Sequence, residues 1–198
     1  MSQLFIDHAR SIAQLSGLPL VVISTTEQIG DSFGERFSNA IQNVLDRGFQ
    51  NVISIGNDCL SLSPSDINKA EKALNSGKSV VGQSKSGGAY LIGISKSDFH
   101  LTDFEQLNWN TPRLFDSLMS YLSESSTETL QLAVKTDVNA SPDLKIALKE
   151  LPLSSAIRIM VESIWSQYTF PLPKGEVIES FFCSRVEPSR APPLASLL

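Results

Sequence analysis

Asn51-Val52-Ile53-Ser54-Ile55-Gly56-Asn57-Asp58 decides the fold of this chain. A short run rich in β-branched residues stops abruptly at Gly, Asn and Asp, the pattern of a strand inside a sheet with turn residues at its carboxyl end. On both sides the periodicity becomes helical. Upstream, Phe33, Phe37, Ile41, Val44 and Leu45 make one apolar face, and Gly48 ends it. Ser32 and Glu35 stand at capping-box spacing at its start. Downstream, Pro64 opens a helix with Ile67, Ala70 and Leu74 on one face, closed by Gly77.

The same alternation extends outward. Phe5, Ala9, Ile12, Ala13 and Leu15 recur at helical spacing before Gly17 and Pro19, and Leu20 to Ser24 reads as a strand buried on both faces. Ser79 to Gly82, Ala89 to Ile94 and Leu130 to Val134 read as further strands, with helices from Thr111-Pro112 and from Pro142. Ser154 or Ser155 caps a helix through Ile157, Val161, Ile164 and Trp165, which Pro171 and Pro173 end. Val177 to Phe182 reads as one more strand, ahead of an irregular tail with Pro188, Pro192 and Pro193. Strands alternating with helices predict an α/β fold, a Rossmann-like three-layer sandwich around a mostly parallel sheet. Residues 1–150 form the α/β domain; 151–198 are expected as a helix and strand extension packed on the same domain.

Composition narrows the function. The 198 residues carry 16 Lys and Arg against 21 Asp and Glu, a net charge of −5, with no basic stripe, so nucleic acid is not an expected partner. No apolar run approaches the ~20 residues of a membrane span. The opening MSQLFIDHARSIAQLSG lacks a cationic stretch before an apolar core, so a cytoplasmic protein is expected. Cys59 and Cys183 form no zinc spacing, and two histidines, His8 and His100, make no His-rich metal site. His8 reads as a solvated surface group, and Cys59 as a small buried residue.

In open α/β sheets ligands bind beyond the carboxyl ends of the strands. Four segments carry unusual residues there. Asp58, after Gly56-Asn57, either holds a divalent metal bridging phosphate oxygens or caps a turn. Gly87-Gly88 before Ala89-Tyr90 either admits a ligand to the backbone or makes a tight hairpin; taken alone, the hairpin is favoured. Asp137-Val138-Asn139 supplies metal or sugar ligands or an Asx-turn. Gly30, Gly34, Glu35 and Arg36 precede a helix whose amino end favours anions, although the capping box explains them too.

Taken in order, QIGDSFGERF, VISIGNDCLSL, GGAYLIG, NWNTPRLF and KTDVNASPDL resemble QxGxxLGERL, VxLIGSDCPDL, EDGGYYLIG, PWSTPxVL and LxDVDTPxDL of a glycosyltransferase-A-like family of uncharacterised proteins (domain of unknown function family 2064, of the radical-SAM/selenodomain-associated transferase type). The resemblance covers about Phe5 to Leu148. It implies a nucleotide-diphospho-sugar transferase fold, a nucleotide sugar or other small-molecule ligand, and a divalent metal, Mg or Mn. Carried over residue by residue, Asp58 and Asp137 become the catalytic candidates, with Asp58 on the metal. Gly56, Asn57, Gly87, Gly88, Tyr90, Trp109, Asn139 and Arg36 become the substrate-binding ones.

The departures are as informative. Asn57 replaces the family's Ser, Leu60 its Pro and Ser61 its second Asp. Ser86 stands in place of an Asp, Ala89 of a Tyr, and Asn139 of the second Asp of DVD. A Mg²⁺ site with so few carboxylates must lean on substrate phosphates. Two readings therefore stand: a nucleotide-sugar-dependent glycosyltransferase, and a catalytically degenerate binding or interaction module on the same fold.

The family's opening strand and its loop, similar to APxPGxVKTRL, have no match ahead of the first helix. Val177 to Phe182, followed by a Pro-containing loop with Arg185 and Arg190, matches them in composition and order but has no PGxxKTR; this less favoured reading requires it to pair beside Leu20 to Ser24 or Val52 to Ile55. Alternatively the tail forms an edge strand or a homodimer contact: Phe181 and Phe182 cannot both face one side of a strand, and Trp165 suits packing or a subunit contact.

Overall fold

The structure, a computed structural model, describes residues 2–125, 128–167 and 180–183. In chain order the elements are α1 (Ser2–Leu15), β1 (Leu20–Ile23), α2 (Phe33–Asp46), β2 (Asn51–Ile55), α3 (Pro64–Asn75), β3 (Ser79–Ser84), β4 (Ala89–Ser95), α4 (Leu101–Glu105), α5 (Leu114–Glu124), β5 (Thr129–Lys135), α6 (Ser141–Glu150), α7 (Ala156–Gln167) and β6 (Ser180–Cys183). Two helix starts are fixed by reciprocal capping: Ser32 with Glu35 on α2, as the spacing predicts, and Ser63 with Asp66 on α3. Helix α5 begins at Leu114 and not at Thr111. The Thr111 hydroxyl bonds the Asn108 carbonyl and accepts from the Arg113 N–H, which holds the preceding residues in a turn.

The sheet order is β1-β6-β2-β4-β3-β5. Because β6 runs antiparallel to β1 and β2, and β4 antiparallel to β2 and β3, while β3 and β5 are parallel, β1, β2, β3 and β5 all point one way. The expected common direction holds for these four strands. The direct pairings are nonetheless antiparallel except β3–β5, because β4 and β6 are inserted in reverse. For β4 the cause is local: four residues join it to β3, and only an antiparallel partner can follow so tight a turn.

The apolar residues alternate across the pleat. On one face α1 and α3 bury Ile6, Ala13, Ile67 and Leu74 against Ile53, Val80 and Leu91. On the other, α2, α4 and α5 bury Ile41, Val44, Phe104 and Leu118 against Val52, Val81 and Ile92. Each of the Ile, Leu, Val and Phe side chains contributes about 1.5–3 kcal/mol on burial. A third cluster joins Phe5 of α1, Leu60 and Val138 of two loops, Leu144 of α6, and Ile157 and Val161 of α7. Strand β1, expected to be buried on both faces, lies at an edge, where Leu20, Val21 and Val22 stay half-buried and Ile23 alone is covered. No helix among the described residues is long and apolar enough to cross a membrane.

Residues 180–183 take the place the sequence reserves for a displaced strand, beside both Leu20–Ile23 and Ile53–Ile55. Their direction is the surprise. Ser180 lies opposite Ile23, at the carboxyl end of β1, and Cys183 opposite Leu20 and Ile53. Cys183, the last described residue of β6, therefore lies at the amino end of β1, whereas ligands bind at the other end; the expected basic loop lies outside the described residues. Val177 to Glu179, Pro171, Pro173, Arg185 and Arg190 lie outside the described residues, as do the Trp165, Phe181 and Phe182 side chains.

Candidate functional site

The shared direction of β1, β2, β3 and β5 gathers their carboxyl ends at one edge of the sheet. The loop after β2 and the loop after β5 are joined there by a backbone bond: the Val138 N–H donates to the Asp58 carbonyl at 3.0 Å. Gly56 donates its N–H to the Tyr90 carbonyl at 2.9 Å, and a Cβ on it would lie 2.8 Å from Asp58 Oδ1. Glycine at this position lets the Asp58 carboxyl fold back along its own loop. Burial, and then the negative charge of Asp137, push the Asp58 carboxyl up to about 6; only its own backbone N–H favours the charged form.

Asp137 has a different environment. Its Oδ2 accepts from the Ser86 hydroxyl and, at 2.8 Å, from Asn139 Nδ2. Ser86 spends its one proton on this carboxylate, so in the 2.9 Å contact between the two serine hydroxyls Ser84 donates. Ser86 and Asn139, the two neutral replacements in the sequence comparison, thus meet on a single carboxylate oxygen. Asn139 is exposed, and its backbone N–H also donates to Asp143 Oδ2 at 3.2 Å, at the start of α6.

The other candidates separate. Gly87 and Gly88 make the β3–β4 turn: Gly87 donates to the Ser84 carbonyl, and Gly88 accepts from the Ser84 N–H. Gly87 has φ +89°, and a Cβ on it would stand 2.1 Å from the Pro112 carbonyl oxygen, so this turn packs against the segment leading into α5. The hairpin alternative describes both glycines. Tyr90 is fully buried, its ring against Gly82 and its hydroxyl donating to the Ala133 carbonyl at 2.9 Å, so it lines no ligand wall. Trp109 packs edge-on to Phe37 and bonds the Phe104 carbonyl, holding the start of α2. The Arg36 guanidinium caps the Asp31 carbonyl in its own loop. Asn57 is half-buried beside Asp58 and is engaged in a contact of its own.

Three residues at this edge were not among the sequence's site candidates. Lys135 Nζ bonds the Ser61 carbonyl at 2.6 Å and pairs with Asp66 at 3.0 Å beneath the Asp58 loop. His8, expected to be solvated, is half-buried, 3.1 Å from the Leu60 carbonyl, and burial lowers its pKa. Lys85 is bound to Glu150, which also accepts from Thr136. The only signal for Lys135 is its place at the end of a strand; long-range partners leave no trace in local spacing. Cys59 is buried, and burial pushes its thiol up to about 12, so it is no nucleophile at neutral pH.

The donor set does not fit a resident divalent cation. Two carboxylates face the edge, and Oδ2 of Asp137 is occupied by two hydrogen-bond donors. Among the described residues no three His, Cys, Asp or Glu side chains come together in a way that would hold a metal. The expectation of Asp58 as a metal ligand finds no supporting partners here.

A family model for uncharacterized proteins conserved in bacteria (DUF2064) matches residues 3–111. The chain belongs to this family. No curated protein matches it. Among solved structures, a candidate nucleotide-diphospho-sugar transferase from Desulfovibrio desulfuricans G20 superposes with a TM-score of 0.60 at 24% identity, over 70% of this chain and 62% of that one. This similarity establishes the fold, a nucleotide-diphospho-sugar transferase-like α/β sandwich. The chain spans about three fifths of that protein's length.

Proposed function

We propose that this DUF2064 member binds a nucleotide-diphospho-sugar at the carboxyl edge, with Asp58 and Asp137 facing hydroxyls of the sugar or of its acceptor, and Gly56, Asn57 and Asn139 beside them. One observation carries the reading: loops from different strands bring an Asp carboxyl, without a cationic partner among the described residues, next to a second carboxylate fixed by two donors. Two carboxylates in unlike surroundings suit unlike tasks. With its pKa near 6, Asp58 can take the acceptor hydroxyl's proton as that oxygen attacks the anomeric carbon; the nucleoside diphosphate leaves with the bonding electrons.

The test is thermal unfolding with a panel of nucleotide sugars. A ligand at about 100 times its Kd adds about 2.7 kcal/mol, which for a chain of this size raises Tm by roughly 5–10 °C. Asp58→Asn removes that shift if the reading is right. A panel that leaves Tm unchanged counts against it.

A second reading, a binding module without transfer, is favoured by the neutral Ser86 and Asn139. Release of nucleoside diphosphate in the presence of an acceptor separates the two.

A further inference from the structure

From the bonding around Asp137 we infer that this edge is not a divalent-cation site, and that Ser86 and Asn139 are the residues that make it so. Their donor groups converge on Asp137 Oδ2, from the β3–β4 turn on one side and the loop after β5 on the other. A hydrogen-bond donor and a cation compete for the same lone pairs. Oδ2, with a hydroxyl and an amide on it, has no lone pair left in the plane for a metal. Asp137 then keeps only Oδ1 and Asp58 is the other acidic ligand, so most of the six or more oxygens of a hard cation would have to come from water or a bound phosphate, and a cation alone is not held. Serine and asparagine also change the charge: a carboxylate at each position would make four negative groups where this chain has two.

The surrounding cations do not reverse the argument. Lys135 is committed to Asp66 and Lys85 to Glu150, so neither replaces a metal beside Asp137. The two donors stabilise the lone carboxylate in the metal's place. What the edge offers a ligand is therefore hydrogen-bond acceptance, which suits hydroxyls. The inference concerns the edge of the proposed function but is read with a cation alone, so it can fail while that function stands.

The experiment titrates Mn²⁺ into the full chain by calorimetry, with Tm recorded at each concentration. Wild type is expected to show no saturable binding below about 1 mM. In Ser86→Asp/Asn139→Asp, four carboxylates repel one another: Tm falls without metal, Mn²⁺ restores it, and binding tightens at least tenfold over wild type. Adding Asp58→Asn to that variant removes the gain. Should the double variant fail to fold, Asn139→Asp alone, isosteric and exposed, is expected to gain a smaller Mn²⁺-dependent rise in Tm. Saturable wild-type binding that Asp58→Asn abolishes overturns the inference, and so does a folded variant that gains no affinity.

Discussion

The loop after β2 and the turn between β3 and β4 both carry glycine at the same edge of the sheet, yet they do different work. In the turn, every prominent group is consumed: Gly87 packs on Pro112, its carbonyl accepts from the Phe115 N–H, and Ser84 bonds both strands of the turn. In the loop, the backbone is held from below and the Asp58 carboxyl is left without a neighbouring donor side chain among the described residues. A glycine that closes a turn and one that makes room for a functional group look alike in sequence. The nearest atom to the missing Cβ tells them apart: a backbone carbonyl for Gly87, a movable carboxylate for Gly56.

Substitution at the two glycines is the strongest way to break this comparison. Gly87→Val combines a positive φ with a clash against backbone that cannot move aside, and is expected to cost about 4 kcal/mol or more. Gly56→Ala meets only the end of the Asp58 side chain and is expected to cost about 1 kcal/mol or less. Urea midpoints read both. Equal losses would mean that the two loops are the same kind of element. Lys135→Met comes next. It keeps the stem but leaves Asp66, whose side chain is 11% exposed, without its cation. A loss of about 2–3 kcal/mol is expected in the same assay, somewhat below the value for a fully buried pair.

How legible this was in the sequence depends on the range of the interaction. The strands and helices were readable because burial imposes a local period, and the Ser32 cap because its partner is three residues away. A strand from the C-terminal segment beside β1 or β2 could be anticipated from order and composition, but its direction could not, since a four-residue strand has the same side-chain alternation both ways. Asp58 and Asp137 were readable as turn residues after strands. Their unequal environments were not, because Ser86 reaches Asp137 across 51 positions. The same holds for Tyr90, a substrate-binding candidate carried over from the resemblance: its hydroxyl finds the carbonyl of Ala133, 43 residues away.

Asp58→Asn sharpens the comparison through pH. The ordinary carboxyl value of 3.8 rises to about 6 in the folded protein. Well below 3.8, near pH 3 and under, the acid is protonated in both states and costs nothing. As pH rises through about 6, the native state resists ionising while the unfolded state does not, so stability is lost. One pH unit is worth about 1.4 kcal/mol. Asn is therefore expected to stabilise by about 3 kcal/mol at pH 8 and to give no gain near pH 3, measured as urea midpoints along a pH series. A gain independent of pH would trace to packing and not to the carboxylate.

The smallest effect tests what holds the loop from below. His8, on α1, meets the Leu60 carbonyl two residues beyond Asp58, and its burial favours the neutral ring over the ordinary pKa of 6.5. In the neutral form Nε2 carries the proton and donates to that carbonyl. His8→Phe keeps the ring and loses this bond, so about 1 kcal/mol of stability is expected to go at pH 8. The sign changes the comparison at lower pH. Below 6.5 the unfolded chain takes up a proton that the folded one resists, so wild type loses stability through this group as pH falls, and the Phe variant has no such loss. The two stability curves are therefore expected to converge as the pH drops from 8 to 5. If they stay parallel, burial does not hold the ring neutral; if they already coincide at pH 8, the bond to Leu60 is incidental, and the Asp58 loop owes its position to Lys135 and Val138.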